Sequence, residues 1–348
     1  MKLNKKIYII ILNYNTWKDT IEAILSIINN DYKNFQIILI DNCSPNESEK
    51  KLRDWLSGDL DFKIENNFFD KKLNVAFKQI LPFVYYTEEH KLQRDIVYEN
   101  KVYNDFLATH SNCNIEYPIL FVQTGKNLGF AGGNNIALRA LIDSTEDAYV
   151  FLLNPDTFLE KNALGILIQK SSISEKFLEG LKILEYKNPD LLTTIGGYKL
   201  NKFTALPKNI KEIADIHSLD YIYGGALFTN IVTLKFIGAM PEDYFLYWEE
   251  TDWCYGAKKQ GVQLKAIDSA ICYDKVGTST GRGFLSEYYF TYNSMLFYKK
   301  YLNQYIYTLF LFHLLRLSVK IIKNKREQAK ALFKALTDYV KGTRNEIK

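Results

Sequence analysis

Residues 6–12, KIYIIIL, run without a polar interruption into Asn13-Tyr14-Asn15 and then into TWKDTIEAILSIINN (16–30). A β-branched run with no alternation reads as a strand buried on both faces. In the next segment Trp17, Ile21, Ile24, Leu25 and Ile28 recur at helical spacing, with Thr16 placed to cap the helix. FQIILIDN (35–42) repeats the apolar run and ends in Asp41-Asn42, and SPNESEKKLRDWL opens a second helix with Ser44 and Pro45. Strand, helix, strand, helix in this order predicts an α/β fold with a parallel, doubly wound sheet.

The rhythm breaks at 58–118, a charged and aromatic stretch without clean alternation, with helical patches such as Thr87–Asn104. It reads as an insertion. Regularity returns with the strand PILFVQT (118–124), the glycine-rich turn and helix GFAGGNNIALRALID (129–143) and the strand AYVFLL (148–153). IGGYKL, YIYGGALFTN and GVQLKAI read as later strands, and EETDWCYGAKKQG as a helix stopped by Gly261. Neither an internal repeat nor a low-complexity linker is present.

Composition sets wide bounds. A chain of 348 residues, 47% hydrophobic and 24% charged, has room for one large domain with appendages or for two. Its 25 tyrosines and 22 phenylalanines mostly serve a core, though tyrosine-rich surfaces also suit flat, hydroxyl-bearing ligands. Cys43, Cys113, Cys254 and Cys272 form no CxxC pair, which argues against a zinc ribbon or a disulfide framework and fits a reducing compartment. MKLNKKIYIIIL lacks a small-residue cleavage site and reads as a first strand, not a signal peptide. No run is expected to approach the roughly 20 apolar residues that cross a bilayer.

The net charge of +4 is unevenly placed. Residues 316–348 hold ten Lys/Arg against three Asp/Glu, so the other 315 residues carry −3. From Tyr288 onward the chain reads as helical, with Phe310, Leu314, Leu317 and Ile321 on one face and Arg316, Lys320 and Lys323 on another. That pattern predicts an interfacial helix on an anionic membrane surface, or else a helix packed on the domain with a solvated basic face. No aromatic residues interleave with the basic ones in a way that suits bases, so no nucleic acid is expected.

Polar clusters close several strands: Asn13-Tyr14-Asn15, Asp41-Asn42, Asn154-Pro155-Asp156 and Tyr273-Asp274-Lys275. Together they would line one rim of a parallel sheet, where open α/β folds bind ligands. Asp41 is suited to accept from a pyrimidine N3–H and Tyr14 to stack on the base; a capping aspartate and a rim tyrosine are the plain alternatives. Asp156 is either a turn residue or a ligand for a cation or a sugar. KNLGFAGGNN (126–135) is not a dinucleotide fingerprint, because its glycines come far from the first strand and at the wrong spacing. Gly132 and Gly133 are expected to let backbone approach a ligand. FLYWEETDWC (245–254) sets Glu249, Glu250 and Asp252 beside Trp248 and Trp253. A carboxylate near apolar rings can serve as a general base, and the alternative is an acidic first turn complementing the helix dipole.

In chain order, IIILNYNTWKDTIEAILSI, ILIDNCSPNES, KNLGFAGGNNIALR, YVFLLNPDTFLEKNAL, YGGALFTNIVTLKFIGAMPEDYFLYWEETDWCYGAKKQG and AICYDKVGTSTG resemble family-2 glycosyltransferases, especially their rhamnosyltransferase-like branch. The resemblance covers roughly residues 5–285 apart from 58–118. It implies a GT-A fold, a Rossmann-like, mostly parallel sheet flanked by helices, over 1–287, with a basic helical extension at 288–348. It also implies an inverting transfer from a dTDP- or UDP-linked sugar, rhamnose among the candidates, to a cell-surface glycan or lipid-linked saccharide.

By the same resemblance Asn13, Tyr14 and Asp41 hold the nucleoside, with Asn134 near its phosphates. Asp156 is the metal-binding aspartate, with Asn154 in place of the usual first acid. Glu250 is the catalytic base, where the family usually has aspartate. Gly224, Gly225, Trp248 and Glu249 border the acceptor. Asp274 stands where a histidine usually completes the site for a divalent cation, Mg²⁺ or Mn²⁺, which aspartate oxygen suits equally well. The implied location is cytoplasmic, peripheral on the membrane face. An inactive glycan-binding scaffold of the same fold is the alternative; a nucleotidylyltransferase would need a basic glycine-rich loop that NYNTW does not offer.

Overall fold

The computed structural model describes residues 4–73, 79–87, 92, 95–110, 113–275 and 283–343. Strand β1 (Ile7–Asn13) is buried along its whole length, as its unbroken apolar run requires. Ile7, Ile9 and Ile11 face one layer with helix α1 (Trp17–Ile28), while Tyr8, Ile10 and Leu12 face the other. Strand β2 (Phe35–Asp41) and helices α2 (Ser48–Leu56) and α3 (Asn67–Asp70) come next.

The 58–118 segment belongs to the sheet: β3 (Phe83–Tyr86) pairs in parallel with β4 (Ile119–Gln123), and α4 (Ile96–Thr109) lies between them in sequence. Helix α5 (Gly129–Ile142), strands β5 (Tyr149–Leu153) and β6 (Thr157–Leu159) and helix α6 (Ala163–Lys170) continue the alternation. Then come β7 (Phe177–Glu185), β8 (Leu192–Ile195), β9 (Gly197–Leu200), β10 (Pro207–Asn209), β11 (Tyr221–Ile222) and β12 (Ala226–Asn230). Helices α7 (Ile231–Ile237) and α8 (Glu249–Lys259) and strand β13 (Gln263–Asp274) complete the sheet region. Three helices follow: α9 (Phe284–Tyr301), α10 (Ile306–Ile322) and α11 (Arg326–Lys341).

The main sheet runs β3-β4-β2-β1-β5-β12-β7-β13-β6, with β8 beside β7. Its first five strands are parallel; β12 is antiparallel to both neighbours, so its start, not its end, reaches the rim where β1, β2 and β5 finish. A second sheet, β10-β9-β11, joins where Gly180 meets the carbonyl of Gly196 so closely that an added Cβ would sit 2.0 Å from it.

Several local expectations change. Thr16 makes no side-chain cap; its N–H and hydroxyl both donate to Asn13 Oδ1 at 3.3 Å. The second helix starts at Ser48, not at Ser44-Pro45. The boundary drawn at 287 falls inside α9, which shares a core with the 244–248 turn through Phe297 and Tyr298. Most consequentially, the stretch Asn303–Ile322 is helical, 20 residues long with a mean hydropathy of 1.5, long and apolar enough to cross a bilayer where no such run was expected. Its basic residues are also turned the other way: Arg316 and Lys320 pair with Glu287 of α9.

Candidate active site

Parallel register brings Asn13, Asp41 and Gln123 side by side at the ends of β1, β2 and β4. Asp41 Oδ2 accepts from Asn13 Nδ2 (2.6 Å) and Ser44 Oγ (2.7 Å). Its Oδ1 accepts from Ser44 N (2.9 Å) and Gln123 Nε2 (3.0 Å). Asn13 Oδ1 accepts from Thr20 as well as Thr16. Both Asn13 and Asp41 are fully buried, so they lock the strand ends, and Tyr14, 40% exposed, is the accessible member of the three residues expected at a nucleoside. Gln123 was not singled out in the sequence, although its place at a strand end is the signal the other rim residues share.

Asn42 clamps the next turn, donating to Asn127 Oδ1 and the Gly129 carbonyl and accepting from Leu128 N. Asn134 is buried and donates to the Phe130 carbonyl one turn back in its own helix. Gly132 and Gly133 face protein and not open space: an added Cβ at Gly133 would meet Leu12, so this glycine lets α5 lie close on β1, and one at Gly132 would meet the Leu128 side chain at the start of the same helix. Asn135 next to them exchanges hydrogen bonds with Met240 N and O and donates to Glu242. Gly129, at φ +73°, lies against the Phe245 carbonyl, which also accepts from Phe130 N.

That contact leads to the acidic turn. Tyr247 (φ 64°) and Trp248 (φ 80°) are consecutive non-glycine residues in left-handed backbone, a conformation costing roughly 1–3 kcal/mol each. Asn293 Nδ2 holds the turn through the Leu246 (2.8 Å) and Tyr247 (3.1 Å) carbonyls. The Trp248 indole N–H donates to the Phe290 carbonyl, and its ring is buried among Phe290, Phe297 and Tyr298. Trp248 therefore packs as a wedge beneath the turn, with 4% of its surface exposed. Asp252 points into the same helices, binding Tyr244, Lys300 and Tyr301.

The turn presents Glu249 and Glu250 at the start of α8. Glu249 is buried, with Oε2 lacking a hydrogen-bond partner among the described residues; burial, and then the Glu250 charge, push its carboxyl well above the usual range. Glu250 is partly exposed and lies on Gly224, where an added Cβ would stand 3.0 Å from its Cγ. Burial raises its carboxyl too, against the pull of backbone N–H groups at the helix start.

Across the rim, β13 pairs with β6 so that Asp274 is opposite Thr157, next to Asp156, and Lys275 N donates to the Asp156 carbonyl. Both aspartates are 3% exposed. Tyr223 donates its hydroxyl to Asp274 Oδ2 at 2.5 Å, and burial, then Asp274, Tyr198 and Asp156, hold that phenol protonated. Burial, and then the charges of Asp274 and Glu250, raise the Tyr198 phenol of β9, whose ring meets that of Tyr223 edge-on. Asn154 N donates to the Gly225 carbonyl, tying the aspartate turn to the glycine pair. Among the described residues no group of three His, Cys, Asp or Glu side chains gathers around a common point. Two aspartates on paired strand ends nevertheless suit Mg²⁺ or Mn²⁺, which commonly take one or two protein carboxylates and fill their remaining positions with phosphate and water. The end of AICYDKVGTSTG, from residue 276, lies outside the described residues.

A mostly parallel sheet with an acidic rim and helices on both faces defines a GT-A scaffold, and solved structures agree on that fold. GalNAc-T7, solved with UDP, GalNAc and Mn²⁺, superposes with a TM-score of 0.53 at 12% identity, covering 86% of this chain and 50% of that one. Residues 1–349 of S. aureus TarS, solved with UDP-GlcNAc, superpose at 0.50 and 13% identity over 97% of this chain and 82% of that one. Residues 8–81 match the profile of glycosyl transferase family 2. The chain is also 27% identical over 154 residues to the low-salt glycan biosynthesis hexosyltransferase Agl10 of Haloferax volcanii, a match covering 42% of this chain and about half, 48%, of that relative.

Proposed function

We propose that the chain transfers a sugar, with inversion, from a UDP- or dTDP-linked donor to a hydroxyl of a saccharide or lipid-linked saccharide at the cytoplasmic membrane face. One observation carries this reading: the Tyr223–Gly224–Gly225 segment joins the two acidic groups, with Glu250 lying on Gly224, Tyr223 donating to Asp274 and the Gly225 carbonyl accepting from Asn154 N, two residues before Asp156.

In this mechanism the acceptor O–H gives its proton to Glu250 as its oxygen bonds to the anomeric carbon, and the bond from that carbon to the diphosphate oxygen breaks. The raised carboxyl makes Glu250 a stronger base than a free carboxylate. A divalent cation, Mg²⁺ or Mn²⁺, held by Asp156 and Asp274, would neutralise charge on the departing diphosphate. The TarS structure was solved with UDP-GlcNAc, and the GalNAc-T7 structure with UDP, GalNAc and Mn²⁺. Tyr14, exposed at the rim, would cover the base, and Asp41 would read it only when Gln123 or Ser44 turns aside.

Glu250→Gln should lower kcat at least about a hundredfold while the melting temperature holds. Near-normal turnover in the folded variant overturns the assignment. A thermal-shift series should show UDP or dTDP stabilising the protein further when Mn²⁺ is added, and Asp156→Asn should remove only the Mn²⁺ increment. An increment that survives Asp156→Asn places the cation elsewhere.

A further inference from the structure

Helix α10 has two unlike faces. Leu309 and His313 are buried against α9, and His313 Nε2 lies 2.9 Å from Ser294 Oγ. One and two turns on, Arg316 pairs with Glu287, and Lys320 reaches the same carboxylate at 2.9 Å and Gln328 of α11 at 2.6 Å. The opposite face holds Tyr307 (81% exposed), Leu311 (60%), Leu315 (66%), Val319 (47%) and Ile322 (82%), with Leu314 beside them. These positions recur at three- and four-residue spacing and form one stripe without a charged side chain. Lys323, Lys325 and Arg326, all exposed, follow at its end.

We infer that this stripe enters a lipid bilayer with α10 lying in the membrane plane, held by apolar insertion, with the basic end meeting anionic headgroups. This adds the mode of attachment to the membrane location proposed above. Length and composition alone would allow α10 to span. Its packing does not: spanning would carry Glu287, Arg316 and Lys320 into hydrocarbon, whereas α11 turns back onto α9 through the Asp338–Tyr288 hydrogen bond. A second copy of the chain fits the stripe poorly. A 17-residue helix face is about 25 Å long and roughly 10 Å wide, well short of the ~800 Å² per partner that a stable interface buries. The basic end complements anionic lipid and has no matching acidic stripe on α10.

The test is flotation of the full chain with phosphatidylcholine vesicles, neutral or with added phosphatidylglycerol, without donor or acceptor. The result is therefore independent of glycosyl transfer. Binding to both vesicle types is expected. At 0.5 M NaCl only the preference for anionic vesicles should vanish, because screening removes the headgroup contribution. Leu311→Asp with Leu315→Asp should lower partitioning at least about tenfold on both vesicle types. Lys325→Ala with Arg326→Ala should lower it only on anionic vesicles at low salt. Circular dichroism and melting check the fold, and Tyr307→Asp, at the exposed start of the stripe, serves if the double leucine variant does not fold. Unchanged partitioning of the leucine variant, or complete loss of wild-type binding in 0.5 M NaCl, overturns the inference. So does a wild-type dimer by light scattering that ignores vesicles and becomes monomeric in that variant.

Discussion

At Glu179 a single carboxyl is 2% exposed and accepts from the Ser171 hydroxyl; burial pushes it up to about 7. The unfolded chain releases the same proton near pH 4.5, so between about pH 4.5 and 7 the folded state binds more protons. Stability therefore falls as pH rises through that window, by about 3 kcal/mol for this group. Glu179→Gln should flatten that part of the stability curve and leave the variant more stable than the parent at pH 8, as chemical denaturation would show. At Asn293 the side chain satisfies two carbonyls of a turn whose backbone is strained at Tyr247 and Trp248. Asn293→Ala should cost about 1–3 kcal/mol and lower kcat more than donor affinity, since the turn carries Glu250 and not the nucleoside rim. Equal losses in both would show that the turn serves stability alone.

Among the elements, α10 couples charge to packing. His313 is buried next to Arg316, and desolvation holds its imidazole down at about 3, hence neutral. Unfolded histidine protonates below about 6.5, so the stability this docking contributes is fully present above that value and declines as pH falls below it. The loss should reach about 2 kcal/mol by pH 5, and His313→Gln should blunt it. The same helix shows where sequence reading stops. Its apolar and basic residues were legible, but which face turns inward is decided by Glu287, three residues into α9 and remote in sequence. The strands β1, β2 and β5 were legible because burial on both faces leaves an unbroken apolar run, whereas β3 is four residues long inside a charged stretch. Glu250 and the Gly224–Gly225 pair were visible as motifs. The roles of Asn135, Tyr198 and Asn293 were not, because each acts on a partner more than forty residues away.

For the whole molecule, the junction of the two sheets at Gly180 and Gly196 keeps Tyr198 within reach of both carboxylate groups. Gly180→Ala would force backbone apart and should cost about 1–3 kcal/mol or more, with the rim losing its alignment even where the protein remains folded. A normal melting temperature in that variant would show the junction to be pliable. The Gly129–Phe245 contact has a different consequence. Through it, and through Asn135 to Met240, the turn that Asn42 clamps is joined to the segment that leads into the turn carrying Glu250. A ligand that tightens either turn must tighten the other, and the coupling free energy is the same in both directions. Nucleotide and acceptor should therefore bind cooperatively, each raising the affinity for the other by one common factor, and Asn135→Ala should bring that factor toward one.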